Sequence, residues 1–226
     1  MNILAIETAT PTCAMGLLTS EGVELSLVVD DERHHTEALT PGIRELLERV
    51  ALPAKSIDRV VVDRGPGLFT GLRVGIATAI GFALGASCEL VGVTSLELLA
   101  HGAHSAGIRG TLVSCVDGRR GEVFIQTFFL DDAVVARDEP SVAVPAKVVA
   151  AWTRSAESLT FTGDGVARYE EEFHAVANAT LFKQLVPSPI EALRLGATRQ
   201  ADSEIVPLYL RESDAVANFS TRQRLP

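Results

Sequence analysis

Between Gly65 and Ala86 the chain reads GPGLFTGLRVGIATAIGFALGA, with Arg73 its single charge. After the glycine-rich turn the pattern predicts a long helix beginning near Thr70, with Thr70 as its cap. Wound at the helical period, Gly71, Gly75, Ala79 and Ala83 form one stripe, Ala77, Gly81 and Gly85 a second, and Ile76, Ile80 and Leu84 a third. Apart from Arg73 and Thr78 the helix has no polar face. A helix that is apolar all round must be buried all round, and the lobe's own sheet covers only one side. Each glycine costs about 1 kcal/mol relative to alanine in a helix, a penalty that close packing of small residues offsets. Two coverings are open: the protein's own sheet with a helix over 36–51, or a partner docked on both helices. The pattern favours the partner.

Composition narrows the class. The chain has 226 residues, 47% hydrophobic and 22% charged, enough for one large domain or two small ones. With 20 basic and 29 acidic residues the net charge is -9. That charge repels a phosphate backbone, so any contact with RNA is expected to run through a partner. Cys13, Cys88 and Cys115 stand singly with no CxxC pair, as in a reduced, cytoplasmic protein that uses them as small core residues. The apolar start lacks a basic leader and reads as a strand. No run reaches the roughly 20 apolar residues of a membrane span, so no membrane partner is expected.

Strands are expected over 2–9, 12–20 and 23–31, opening the chain as a meander. A helix over 36–51 follows, with Leu39, Ile43, Leu46, Leu47 and Val50 on one face, capped by Thr36 or by Thr40 with Pro41 first in the helix. A strand over 59–63, the long helix, a strand over 89–95 and a short helix complete an α/β lobe closing near Gly102. HGAHSAGIRG reads as a joint. A smaller second lobe follows, with strands over 111–116 and 122–130, helix 145–155, strand 158–165, and helices 166–179 and 188–200. The tail from Ile205 ends polar and is expected to fray. The predicted domains are thus 1–102 and 103–226, the last helix packing back on the first lobe, and the two antiparallel openings hint at a duplication.

The turn ETAT places an acid before hydroxyl side chains. In actin-like and sugar-kinase-like ATPases a comparable turn carries an aspartate, a glycine and a Thr or Ser. Here the acid is Glu7 and the glycine position is Ala9, whose Cβ limits backbone approach to a phosphate. GPGLFTG has neither GxGxxG spacing nor the Lys-Ser/Thr of a P-loop. His34 and His35 are followed by Ala38 and Leu39, so no second histidine shares their face, and a surface or capping role fits them better than ligation. His101 and His104 lie at the joint with no acid companion. In DGRRGEVF, Asp117, Arg119, Arg120 and Glu122 flank a hairpin turn, expected as a solvated tip. No GxSxG, HExxH or Cys–His pairing is present, so the residues themselves point away from catalysis.

MNILAIETAT, HHTEALTPGIRELL, GPGLFTGLRVGIATAIGFALG, LVGVTSLELLA, DGRRGEVF, FTGDGV and VPLYLRESDA, in this order, resemble the bacterial TsaB family, formerly called YeaZ. The resemblance implies an α/β, actin-like (ASKHA, ribonuclease H-like) two-lobed fold with mixed sheets. It also implies a place in the machinery that makes threonylcarbamoyladenosine in tRNAs reading codons that begin with A. In that system the related subunit TsaD is the transferase and carries an HxxxH metal motif, which this chain lacks. TsaB pairs with and supports it, and TsaE supplies an ATPase. The two helices form the family's contact, with TsaD or with a second copy. Carried onto this chain, the interface comprises Leu39, Ile43, Leu46, Leu47, Thr70, Gly71, Arg73, Val74, Gly75, Thr78, Ala79 and Phe82. The family commonly has serine where Leu68 stands, and Asp63 and Arg64, more charged than usual, are expected to pair locally or tune the interface.

The expectation is therefore a non-catalytic subunit with no metal and no cofactor, reaching tRNA only indirectly. On this reading Gly75→Leu or Ala79→Glu abolishes pairing and leaves the fold intact. The alternative is an actin-like ATPase or small-molecule kinase holding ATP or ADP between its lobes, with Glu7, Thr8 and Asp117 near the phosphates. A metalloprotease is a third reading, resting on the family's old glycoprotease label.

Overall fold

The structure, a computed structural model, describes residues 1–29, 35–154 and 156–211, with the backbone alone at residues 35 and 36. The first lobe holds β1 (Ile3–Glu7), β2 (Cys13–Leu18), β3 (Glu24–Val29), α1 (His35–Arg49), β4 (Arg59–Asp63), α2 (Phe69–Ala86) and β5 (Glu89–Val93). α3 (Ser95–Ser105) leads into the second, with β6 (Gly110–Arg119), β7 (Glu122–Leu130), β8 (Val134–Ala136), β9 (Ser141–Ala143), α4 (Pro145–Thr153), β10 (Leu159–Thr162), α5 (Asp164–Arg168), α6 (Glu170–Phe173), β11 (Ala179–Phe182) and α7 (Pro189–Thr198).

The two sheets share one plan. In the first the order is β3-β2-β1-β4-β5, antiparallel through the meander and parallel from β1 to β4 and β5. In the second it is β8-β7-β6-β10-β11, again antiparallel then parallel, with β9 also pairing β7. Matching each strand to its counterpart gives the same order twice, which is the duplicated ribonuclease H-like arrangement of an actin-like fold.

Both faces of the first sheet are covered, so its central strands are continuously apolar over Ile3–Ile6 and Val60–Val62. Leu4, Ile6, Val60 and Val62 point toward α1 and α2, where they meet Leu39, Ile43, Leu46, Ile76 and Ala79. Ile3, Ala5 and Val61 point the other way, toward Leu98 of α3 and Ala192 and Leu193 of α7. α3 is shared: its Leu96, Leu99, Ala100 and Ala103 pack with Leu112, Val116, Phe124 and Phe128 of the second lobe. The far face of the second sheet buries Val113, Cys115 and Phe161 beneath Val148, Val166 and Phe173. Local chemistry sets the helix starts: Thr94 accepts the Glu97 N–H at 3.2 Å before α3, and Ser188 with Pro189 opens α7. Arg59 closes the other end of α7, donating to the carbonyls of Gly196 and Arg199.

Several expectations change. α2 starts at Phe69 with Leu68 in the N-cap position and no side-chain cap, so Thr70 lies inside the first turn. α1 starts at His35 and holds Pro41 in its interior, so Thr36 and Thr40 are helical rather than caps. The first half of the joint at 101–110 is helix: α3 runs past the boundary at Gly102 to Ser105, because its apolar stripe continues to Ala103. The helix expected over 166–179 is two short helices and the start of β11, broken at Tyr169, whose φ/ψ of -119°/37° leaves the helical region. β8, β9 and β11, of three, three and four residues, are too short to show a period. Of the tail, residues 205–211 are docked: Ile205 is in the first core and Leu208 N–H donates to Arg64 C=O at 2.7 Å.

The stripe Gly71, Gly75, Ala79 and Ala83 faces the chain's own sheet. A Cβ on Gly75 would overlap the Thr8 hydroxyl, and Ala79 is fully buried. Gly75→Leu and Ala79→Glu therefore attack the fold rather than an interface. Overpacking of this kind costs about 1–3 kcal/mol or more. Gly75→Leu is accordingly expected to lower the melting temperature by at least about 3 °C, read by thermal denaturation of the chain alone.

Candidate functional site

Two regions concentrate the sequence-predicted site residues: the turn after β1 with its surroundings, and the outward side of α2. At the first, the register that sets Ile6 beside Val62 carries Glu7 and Asp63 to neighbouring strand ends. Both are fully buried. Glu7 Oε1 accepts the Ala9 N–H at 2.8 Å and Asp63 Oδ1 the Gly65 N–H at 2.8 Å. Glu7 Oε2 and Asp63 Oδ2 have no such donor. Burial, then repulsion by Asp63, raises the Glu7 pKa well above the carboxylate range. Burial likewise pushes Asp63 up to about 7, against the hydrogen bonds from Gly65 and Ser95. Protonation of either acid relieves the repulsion between them.

The second lobe repeats the motif. Asp164, directly after β10, accepts the Asp117 N–H from the parallel neighbour β6 at 2.9 Å. Burial, then the charge of Asp117, pushes Asp164 up to about 6, and its charge in turn raises Glu7. Asp117 is 7% exposed, not a solvated tip: it accepts the Arg119 N–H and pairs with Arg119 at 3.4 Å and Arg168 at 3.5 Å. At the same hairpin Glu122 pairs with Arg211 at 2.7 Å. Asp63 points inward rather than pairing with Arg64, because its carboxylate accepts the Gly65 N–H. Asp63 and Asp164 were legible in principle, since VVVD ends β4 as LAIE ends β1, and the acid of FTGD follows β10.

These acids lie at the carboxyl ends of strands, where α/β sheets bind ligands. Yet the turn that would approach a phosphate is engaged by the chain itself. Thr8 Oγ1 donates to Gly71 C=O at 2.8 Å, and Leu68 N–H to Ala9 C=O at 2.6 Å. A Cβ on Gly67 would overlap the Ala9 carbonyl, so GPG needs its second glycine to lie against this turn. Among the described residues no group of three or more His, Cys, Asp or Glu is arranged to hold a metal ion. His34 and the side chain of His35 fall outside those residues. His101 and His104 sit within α3, and His104 Nε2 lies 2.8 Å from Asp131 C=O.

α2 is long and apolar enough by length and composition to cross a membrane, at 18 residues and mean hydropathy 1.5. Its inward side, wedged on β1 and β4, makes it an element of the fold. Among the described residues nothing covers the outward side. Ala77, Gly81 and Gly85 are exposed, Ile80 is 36% and Leu84 78% exposed, and a Cβ on Gly81 or Gly85 would meet nothing within 4 Å. Thr70 and Arg73 stand at its N-terminal end, with Val74, Thr78 and Phe82 half-buried along it. Ala77, Gly81 and Gly85, with Ile80 and Leu84 of the third stripe, thus supply the free face, while Ile76 is buried in the core. Leu39, Ile43, Leu46 and Leu47, like Gly71, Gly75 and Ala79, are committed to the chain's own core, and what α1 turns outward is charged: Arg44, Glu45, Glu48 and Arg49. Phe69 and Tyr209, unread in the sequence, flank Arg73.

The acid pair has a measurable consequence. A carboxyl whose folded pKa is raised stabilises the fold while protonated, and that contribution is lost as pH rises through the folded value. Stability is therefore expected to fall between about pH 4 and 7. Asp63→Asn should flatten that slope by up to about 1.4 kcal/mol per pH unit and melt higher than the parent at pH 8, as read by denaturant unfolding across pH.

Comparison with known proteins agrees with this architecture. The family model described as TsaD: tRNA N6-adenosine threonylcarbamoyltransferase matches residues 30–217. The tRNA threonylcarbamoyladenosine biosynthesis protein TsaB of Bacillus subtilis is 26% identical over 99% of this chain and 100% of its own length. Its Escherichia coli counterpart is 33% identical over 64% of this chain and 62% of its own. The solved structure of YeaZ from Pseudomonas aeruginosa superposes with a TM-score of 0.81 at 26% identity, covering 92% of this chain and 99% of that one. With two ribonuclease H-like sheets, a helix bare on one side and a family match across most of its length, the chain belongs to the TsaD family of proteins, on its TsaB (YeaZ) branch.

Proposed function

We propose that the chain is a non-catalytic subunit of the cytoplasmic machinery that builds threonylcarbamoyladenosine in tRNA, and that it works by pairing with the transferase TsaD. The carrying observation is the outward face of α2, where Ile80 and Leu84 stand in solvent beside Ala77, Gly81 and Gly85. A partner helix can approach closely along such a face, since glycine and alanine present no bulk, while the leucine and isoleucine supply apolar area worth about 25 cal/mol per Å2 on burial. The relatives named for threonylcarbamoyladenosine biosynthesis supply the pathway. The net charge of -9 fits a subunit that reaches tRNA through its partners, with TsaE as the ATPase of the set.

The four acids at the strand ends favour a second reading, a nucleotide-binding ATPase. Against it, the hydroxyl of Thr8 is spent on the Gly71 carbonyl and the N–H of Ala9 on Glu7, and the nearest carboxylates are buried and drawn toward neutrality. Calorimetric titration of the isolated chain with Mg-ATP is expected to show no saturable heat, and a one-to-one isotherm would establish the ATPase reading instead. For pairing, Gly81→Leu and Leu84→Glu change only solvent-facing positions. Both should melt within about 2 °C of the parent and bind TsaD at least about tenfold more weakly. Copurification and a threonylcarbamoylation assay with and without this chain read both effects. Unimpaired pairing by both variants would overturn the proposal.

A further inference from the structure

Arg73, the single charge of the helix, is held in place. Its guanidinium carbon lies 3.7 Å from the centroid of the Phe69 ring, one turn earlier. The Tyr209 ring meets Phe69 at a centroid distance of 5.0 Å, tilted by 32°, and its hydroxyl accepts from Arg73 Nε at 3.2 Å. Tyr209 is fixed from both sides. Before it, Leu208 N–H is bonded to Arg64 C=O; after it, Leu210 packs into the second lobe's core and Arg211 pairs with Glu122.

We propose that Arg73 is the polar anchor of the α2 docking face, oriented by Phe69 and Tyr209 to receive a carboxylate of the partner protein. This rests on the reading of that face given above. Stacking uses the flat side of the guanidinium and Tyr209 uses Nε, which leaves Nη1 and Nη2, the two-pronged edge that matches a carboxylate. Among the described residues no carboxylate is paired with it, and the side chain is exposed. Its place on the helix completes the argument. Arg73, Ala77, Ile80 and Leu84 fall at i, i+4, i+7 and i+11, one stripe, so a helix lying on the apolar part ends opposite the guanidinium. An ordered arginine loses less side-chain freedom on binding than a free one. The occupant is protein rather than RNA, because the group borders an apolar ridge and belongs to a chain of net charge -9.

The test is titration of the full chain with TsaD of the same organism, using Arg73→Gln, Arg73→Lys, Tyr209→Phe and Leu84→Glu, with thermal melts of each. Arg73→Gln is expected to weaken binding by about tenfold or more. Arg73→Lys should recover little of it, since an ammonium cannot form the two-pronged pair. Tyr209→Phe should weaken binding by about threefold, the scale of one hydrogen bond, with the melting temperature unchanged in all three. Parent-like binding by Arg73→Gln, with Leu84→Glu abolishing it, overturns the anchor and leaves the docking face standing. No effect from Leu84→Glu overturns the face itself. A loss confined to self-association in sedimentation, or to tRNA retention, assigns Arg73 to a different occupant and overturns the proposal as well.

Discussion

The approach of α2 to the turn after β1 is the contact on which the other features depend. Gly67 and Gly75 bring backbone against Ala9 and Thr8 with no room for a Cβ, and the Thr8 hydroxyl and Ala9 carbonyl are bonded to the segment that passes over them. This contact sets the rotation of α2. With one row of small residues turned onto the sheet, the row roughly opposite is left uncovered by the described residues. The same contact closes over Glu7 and Asp63 and takes from the turn the donors and backbone freedom that a phosphate would use.

A duplicated plan carries two chemistries to different ends. Each sheet sets an acid from its first strand beside an acid from the parallel neighbour, Glu7 with Asp63 and Asp117 with Asp164. In the first lobe the pair is sealed and drawn to protonation by desolvation; in the second, Arg119 and Arg168 reach Asp117 from the rim. Burying unpaired carboxylates costs stability. The raised pKa of each acid favours its neutral form, which lowers the cost, and backbone N–H groups hold Glu7 Oε1 and Asp63 Oδ1. What α2 leaves exposed among the described residues is largely apolar.

The segment from α7 to Arg211 ties these parts together. It crosses the edge of the first sheet, where Asp202 accepts the Gly92 N–H, then bonds to the motif turn, stacks on Phe69 and ends paired to the second lobe. The start of α2, the orientation of Arg73 and the contact between the lobes therefore share one strut. Its residues carry no periodic pattern, so they read as a polar tail although half of them are docked.

By itself the sequence determined the α/β alternation, the buried central strands, the two amphipathic faces of the first lobe and the unusual demand of a helix without a polar side. These follow from periodicity, which is local and survives without knowledge of neighbours. It did not determine which stripe of α2 turns inward. All three stripes are uncharged and apolar, so the pattern alone does not name the buried one, and the contacts of Gly67 and Gly75 with the turn after β1 choose among them. The fate of Leu39, Ile43, Leu46 and Leu47 was of the same kind: an apolar face shows that something covers it, while tertiary packing decides that the cover is β2, β3 and α2. Asp63, Asp164, Phe69 and Tyr209 join the site through strand register and a long-range strap. The pairings that bring them together, Asp63 with Glu7, Asp164 with Asp117 and Phe69 with Tyr209, span tens to more than a hundred residues of sequence, beyond the reach of any local pattern.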